Sequence, residues 1–217
     1  IVSLCSFLGS LSLIDSAGRV FHSTRDSSGW EQDISHTGAT CCLAQSKLAI
    51  WKVTCDGIIL VKPNSVNDWI AIAPPPDLPA NITPSQVFSS PNGIYVWILA
   101  NGRGWARANI NERNPSGARW TETYHTSDLC NLAIGDNVVW ALDASGRLLR
   151  LRGLAAGNPA GNYWRVISGE AFRAISIDAQ SNLWAIDMEN HLVRHLSDVF
   201  VPNQFHSCDV RDSYEFV

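Results

Sequence analysis

The residues of this chain whose types and spacing could do chemistry fall into four groups. The first is the C-terminus, where Asp209 and Asp212 precede Tyr214, and two intervening residues separate Tyr214 from the terminal aliphatic Val217. An acidic approach to an aromatic-x-x-aliphatic segment suits strand addition to the edge of a partner's sheet. Tyr214 and Val217 would fill two hydrophobic pockets, and Asp209 and Asp212 would meet basic residues beside them. A terminal valine also suits capture of its carboxylate by a PDZ domain, and the plain alternative is an unstructured chain end. The second group is Asp15, Asp143 and Asp187, which recur at one position beside a turn. A catalytic carboxylate would appear once, so recurrence points to turn capping by the side-chain oxygen. The third is His191 and His195, four apart; on a strand they share a face but stand about 13 Å from each other, too far for one metal. They read as surface histidines of an outer strand.

The fourth group is the cysteines: Cys5, Cys41, Cys42, Cys55, Cys130 and Cys208. Their spacing matches neither a disulfide framework nor a zinc site. Cys41 and Cys42 are neighbours and would point to opposite faces of a strand. The six read as small buried hydrophobes in a reducing compartment. No phosphate-cradling loop, nucleophile elbow or zinc-binding helix motif is present. The expectation is a protein that is not an enzyme, with no cofactor and no metal.

The elements that must position these residues are set by a returning tryptophan. Trp51, Trp97, Trp140 and Trp184 are separated by 46, 43 and 44 residues. Each lies in a short apolar run followed by a turn and a second run, as in VWALDASGRLLR and LWAIDMENHLVR. A second series, Trp30, Trp69, Trp120 and Trp164, lies 21, 28, 20 and 20 residues ahead of the first. A period near 44 with several alternating strands per period is the signature of a β-propeller blade. Six residues after the inner tryptophan comes Gly57, Gly146 or Asn190, types that accept the positive φ of tight hairpins. In the third unit Gly102 and Gly104 flank the equivalent place. The first 22 residues fit the same template, with Ser12 in place of the inner tryptophan and Gly18 at the turn.

The expected fold is therefore all-β: a propeller of four-stranded blades over residues 1–199. It has a partial first blade over 1–24, then blades opening at Trp30, Trp69, Trp120 and Trp164, and a tail over 200–217. Five units are visible. The absent opening strand of the first unit favours a piece of a six-bladed or larger ring over a ring closed at five. The tail segment VFV is a candidate for pairing with the incomplete first blade.

The N-terminal run IVSLCSFLGSLSLI has the apolarity of a signal-peptide core but no initial Met and no basic leader, and the repeat absorbs it. No run reaches the ~18–20 apolar residues of a membrane span. Net charge is −4 with pI about 5.8, and no basic cluster supports nucleic-acid binding. Arg107, Arg150 and Arg194 share one repeat position, with His22 and Val61 at its equivalents, and read as a solvated outer strand. The loop APPPDLPANITPSQ, residues 73–86, is stiffened by five prolines and reads as an ordered excursion. It holds a single glycosylation sequon at Asn81. The segments INERNPSGA and RGLAAGNPAGNY read as loops between units.

The unit W-x-x-I-x-G … I-S-I-D … L-W-A-I-D … L-V-R resembles the tectonin β-propeller repeat. The resemblance covers residues 2 to about 195 and is sharpest in WRVISGEAFRAISIDAQSNLWAIDMENHLVRH. Tectonin repeats occur in secreted lectins that bind sugars or lipopolysaccharide, and in large intracellular proteins of autophagy and trafficking. The tail is similar to the end of an intracellular member whose aromatic-x-x-aliphatic motif binds ubiquitin-like autophagy modifiers of the GABARAP family. The resemblance puts Tyr214 at the aromatic position and Val217 at the aliphatic one. Tyr in place of Trp implies a less filled pocket and weaker binding, which phosphorylation of Ser207 or Ser213 would strengthen. It further implies a cytoplasmic scaffold recruited to autophagosomal or secretory-pathway membranes, with trafficking proteins as partners of the propeller. A secreted lectin binding glycans or lipopolysaccharide on the propeller rim is the alternative.

Overall fold

The computed structural model describes residues 3–7, 10–23, 29–35, 38–178, 180–195 and 205–207. The alternating apolar runs form antiparallel strands throughout. The first sheet contains β1 (Ser3–Phe7), β2 (Ser10–Ile14), β3 (Val20–Ser23) and β4 (Trp30–Gln32). The second contains β5 (Thr40–Gln45), β6 (Ala49–Thr54), β7 (Ile59–Pro63) and β8 (Ile70–Ile72). The third contains β9 (Gln86–Ser89), β10 (Val96–Ala100), β11 (Arg103–Ala108) and β12 (Arg119–Thr123). A fourth and a fifth are joined through one 15-residue strand. They comprise β13 (Leu129–Ile134), β14 (Val139–Asp143), β15 (Arg147–Arg152), β16 (Tyr163–Ile177), β17 (Leu183–Asp187), β18 (Leu192–His195) and β19 (Phe205–Ser207). The start of β16 pairs with β15, and its end pairs with β17. Residues from the leading strands of all five sheets, among them Cys5, Gln45, Ser89, Ile134 and Ile177, line one central funnel of about 290 Å³. Five meanders around one axis are the blades of a β-propeller.

The blades are phased differently from the units read in sequence. The strand carrying Trp30 closes the first sheet instead of opening the second, and Trp120 and Trp164 likewise lie on the outermost strands of the third and fourth. The first sheet thus has its four strands. Apolar alternation marks which residues are strand; it does not say which neighbour each strand pairs with. Residues 199–201, the segment VFV, lie outside the described residues, and the tail strand β19 pairs with β18 of the fifth blade.

The turns obey the repeat. Gly18, Gly57, Gly146 and Asn190 have φ of 74°, 83°, 78° and 70°. At each aspartate of the second group, one carboxylate oxygen accepts two backbone N–H groups across the turn. Asp143 Oδ1, for example, accepts from Ser145 and Arg147 at 2.9 and 3.0 Å, and Asp15 and Asp187 do the same. In the third blade the turn is shortened to Asn101–Gly102, both at positive φ, between paired Ala100 and Arg103, the hairpin that asparagine–glycine favours.

The core lies in the seams between blades. In the second seam Trp51 of β6 meets Trp120 of the next blade edge to face, with ring centroids 6.4 Å apart; in the third, Trp97 meets Trp164 at 6.0 Å. Trp51 and Trp97 are fully buried. Each such ring removes roughly 200 Å² from water, on the order of 5 kcal/mol of transfer free energy. The indole N–H of the outer tryptophan reaches back to the exit of the preceding blade: Trp120 donates to the Ala73 carbonyl and Trp164 to the Thr123 hydroxyl, both at 2.9 Å. In the fourth seam the partner of Trp140 is His195, at 5.7 Å. His195 is buried, so it is not the surface residue its position on an outer strand suggested.

The arginine position is also not a solvated face. Arg150 and Arg194 lie directly across the hairpin from Trp140 and Trp184 and cover their rings at 5.3 and 5.2 Å. Arg107 covers Trp120 at 4.9 Å and is itself buried. Guanidinium over indole is a cation–π contact that hides the ring from water. The segments 110–118 and 152–163 connect third to fourth strands inside one blade, and they share a fold. Asn114 and Asn158 each donate to and accept from a residue three earlier, and each carbonyl then accepts from Gly117 or Gly161.

Candidate functional site

The seam between the first two blades departs from this pattern. Ser12 stands where the other blades have tryptophan, and across the hairpin from it stands His22. Their side chains are hydrogen-bonded, Oγ to Nδ1 at 2.7 Å. The outer tryptophan of the second blade, Trp69, therefore has no indole to meet. Two ammonium groups take the place of one: Lys52 Nζ of β6 and Lys62 Nζ of β7 lie 4.1 and 5.2 Å from the Trp69 ring centroid. The Trp69 N–H still reaches back to the preceding blade's exit, donating to Ser35 Oγ at 2.9 Å and Asp33 Oδ2 at 3.3 Å.

Asp33 is the anionic centre of this seam. Its Oδ2 lies 3.9 Å from Lys62 Nζ and 3.6 Å from His22 Nε2, and its Oδ1 accepts from the Ser35 backbone at 2.9 Å and from the Ser35 hydroxyl. Burial works to raise its pKa. The hydrogen bonds from Ser35 and the charges of Lys62 and Lys52 outweigh burial and hold it at about 2. Lys52 is 2% exposed. Burial pushes its pKa down, against the pull of Asp33. Burial also lowers His22, which Asp33 only partly offsets, so His22 favours the neutral ring. One carboxylate thus faces two ammonium groups, and the seam carries excess positive charge. A cleft of about 370 Å³ opens beside it, lined by Gly18, Val20, Gln32, Asp33, Thr40 and Lys52. Such a cleft suits a polar or anionic group. Among the described residues no three His, Cys, Asp or Glu side chains gather as a metal site.

The tail residues read as partner-binding, Asp209, Asp212, Tyr214 and Val217, lie outside the described residues, as does Ser213. The described chain ends in β19 on the edge of the fifth blade. The cysteines divide as neighbours on a strand should. Cys42 points into the second seam, its Sγ 3.4 Å from the Val87 carbonyl, whereas Cys55 and Cys130 are exposed, against the expectation that all are buried. Sequence reading missed the Asp33–Lys52–Lys62 group. Its signal was present in Ser12, the one inner position without tryptophan. The Pro-rich loop is ordered: Leu78 and Ile82 pack on the second seam, and Asp77 accepts from the indole N–H of Trp105 at 3.2 Å.

No family model matches the chain. It is 31% identical over 154 residues, 63% of its length, to human tectonin β-propeller repeat-containing protein 2. The chain spans 11% of the length of that relative. Among solved structures, YCF48 bound to D1 peptide has a TM-score of 0.60 at 13% identity, over 91% of this chain and 64% of that one. YCF48 from Cyanidioschyzon merolae has a TM-score of 0.60 at 13% identity, over 92% and 67%. Human WBSCR16 has 0.59 at 12% identity, over 85% and 58%. These structures bear on the fold alone. Sequence similarity and fold together support a tectonin-type β-propeller repeat.

Proposed function

We propose that this chain is a non-enzymatic scaffold of autophagy and membrane trafficking, acting in the cytoplasm. Its tail recruits GABARAP-family modifiers through Tyr214 and Val217, with Asp209 and Asp212 meeting basic residues of the modifier. Its propeller is a rigid interaction surface for trafficking partners. The observation that carries this reading is the similarity to tectonin β-propeller repeat-containing protein 2. An acidic aromatic-x-x-aliphatic terminus supports it as the recruiting element. The test is calorimetric titration of the chain with a GABARAP-family modifier, beside a Tyr214→Ala, Val217→Ala double variant. Micromolar binding lost in the double variant is expected. Absent binding, or binding that survives the substitutions, rejects the tail. The lectin alternative is favoured by one feature, the cleft lined in part by Asp33 and Lys52, the neighbours of Trp69, and a glycan array read with Lys52→Met as control tests it.

A further inference from the structure

The second blade carries two thiols brought together by a β-bulge. The register of β5 against β6 shifts between Thr40 and Cys42, and Cys41 is the extra residue. A bulge re-aims a side chain. Here it lets Cys42 keep its place in the seam while Cys41 turns outward to Cys55, just past the end of β6. The two sulfurs are 2.6 Å apart, closer than unbonded sulfurs sit and within small adjustment of the ~2.05 Å bond. The Cys55 N–H donates to the Ala39 carbonyl at 2.8 Å, which fixes the backbones on either side. Cys55 is exposed and Cys41 half-buried, so a small oxidant has access.

We propose that Cys41 and Cys55 form a reversible disulfide, with a low-molecular-weight disulfide such as oxidised glutathione as the oxidant. The Cys55 thiolate attacks one glutathione sulfur and expels the first glutathione thiolate. The Cys41 thiolate then attacks the Cys55 sulfur of the mixed disulfide and expels the second. Two protein thiols lose two electrons and two protons, and one glutathione disulfide becomes two thiols. Cys55 acts first because it is the exposed partner. Burial, and then the Cys55 neighbour, push Cys41 up to about 11, which suits the slower, resolving role.

The bridge would tie down one side of the polar first seam. Ala39 and Thr40, next to Cys41, are the residues that close on the turn of the first blade. An added Cβ on Gly18 would lie 2.6 Å from Ala39, and the Thr40 N–H donates to the Gly18 carbonyl at 2.8 Å. Oxidation therefore stiffens one side of the polar cleft. This inference is independent of the tail and its partner.

The test is equilibration of the full chain with glutathione buffers of varied ratio, alkylation, and peptide mapping by mass spectrometry. A Cys42→Ser background separates Cys41 from its neighbour. The expected result is a peptide bridged at Cys41–Cys55 under oxidised glutathione, returned to two thiols by excess reduced glutathione. Melting should rise by roughly 5–10 °C on oxidation and fail to rise in Cys55→Ser. Two separately glutathionylated cysteines, two thiols that stay free at every ratio, or a bridge that reduced glutathione does not reverse would overturn it.

Discussion

The first and second seams of this propeller solve one problem in two ways. Each must join an inner position of one blade to the outer tryptophan of the next. The second seam sets Trp51 edge to face against Trp120 within a large buried apolar cluster. Among the described residues the first has Ile14, Val20 and Leu43 buried in its apolar cluster, and it fills the space around Trp69 with Lys52, Lys62 and Asp33. The apolar seam gains from area removed from water, which needs no exact pairing of charges. The polar seam depends on compensation, since each buried charge costs several kcal/mol unless matched. Loss of one ring weakens the first type in proportion to its area. Loss of one charge upsets the second type out of proportion to its size.

The sharpest break is in the apolar seam. Trp51→Ala removes a fully buried ring and its edge-to-face contact with Trp120, and should cost about 3–5 kcal/mol, measured by denaturant unfolding. In the polar seam, Asp33→Asn should cost about 2–4 kcal/mol, because it takes away the charge that offsets buried Lys52 and the ion-pair partner of Lys62. Lys52→Met added to that variant should recover most of the loss, where additive losses would deny the compensation.

Acid should separate the seams as well. His195 has a folded pKa lowered by burial and then by Arg150. Below about pH 6.5 the unfolded chain binds a proton there that the folded chain resists, so stability falls as pH falls through that range. Asp33 is held at about 2, so its contribution is complete above its unfolded value of about 3.9 and is lost as pH falls from there to about 2. Melting temperature against pH should thus drop in two steps, the upper one reduced by His195→Phe and the lower one reduced by Asp33→Asn. The smallest effect belongs to the turns. Gly146→Ala, at φ 78° with the Phe172 carbonyl 2.8 Å from the added carbon, should cost about 1–2 kcal/mol.

Much of this was legible in the chain. The tryptophan period gave the propeller, and the recurring aspartates gave the turn caps, because both follow from local pattern. Blade phase was not legible, since β16 runs unbroken from one blade into the next and pairing is a non-local choice. The burial of Arg107 and His195 was hidden for the same reason: polar residues that cover indole rings look like a solvated face until the facing blade is in place. The polar seam was marked only by Ser12, an absence within a repeat. The closeness of Cys41 and Cys55 arises from a bulge, which leaves no trace in apolar alternation.

Amide hydrogen exchange, read strand by strand, compares the two seams most directly. β2 and β3, on the first-blade side of the polar seam, should open at a lower free energy than β10 and β11, on the third-blade side of the tryptophan seam. At pH near 3, where the Asp33 contribution is being lost, the difference should widen. Equal protection on both sides, or a polar seam that outlasts the tryptophan seam, would contradict the distinction drawn between them.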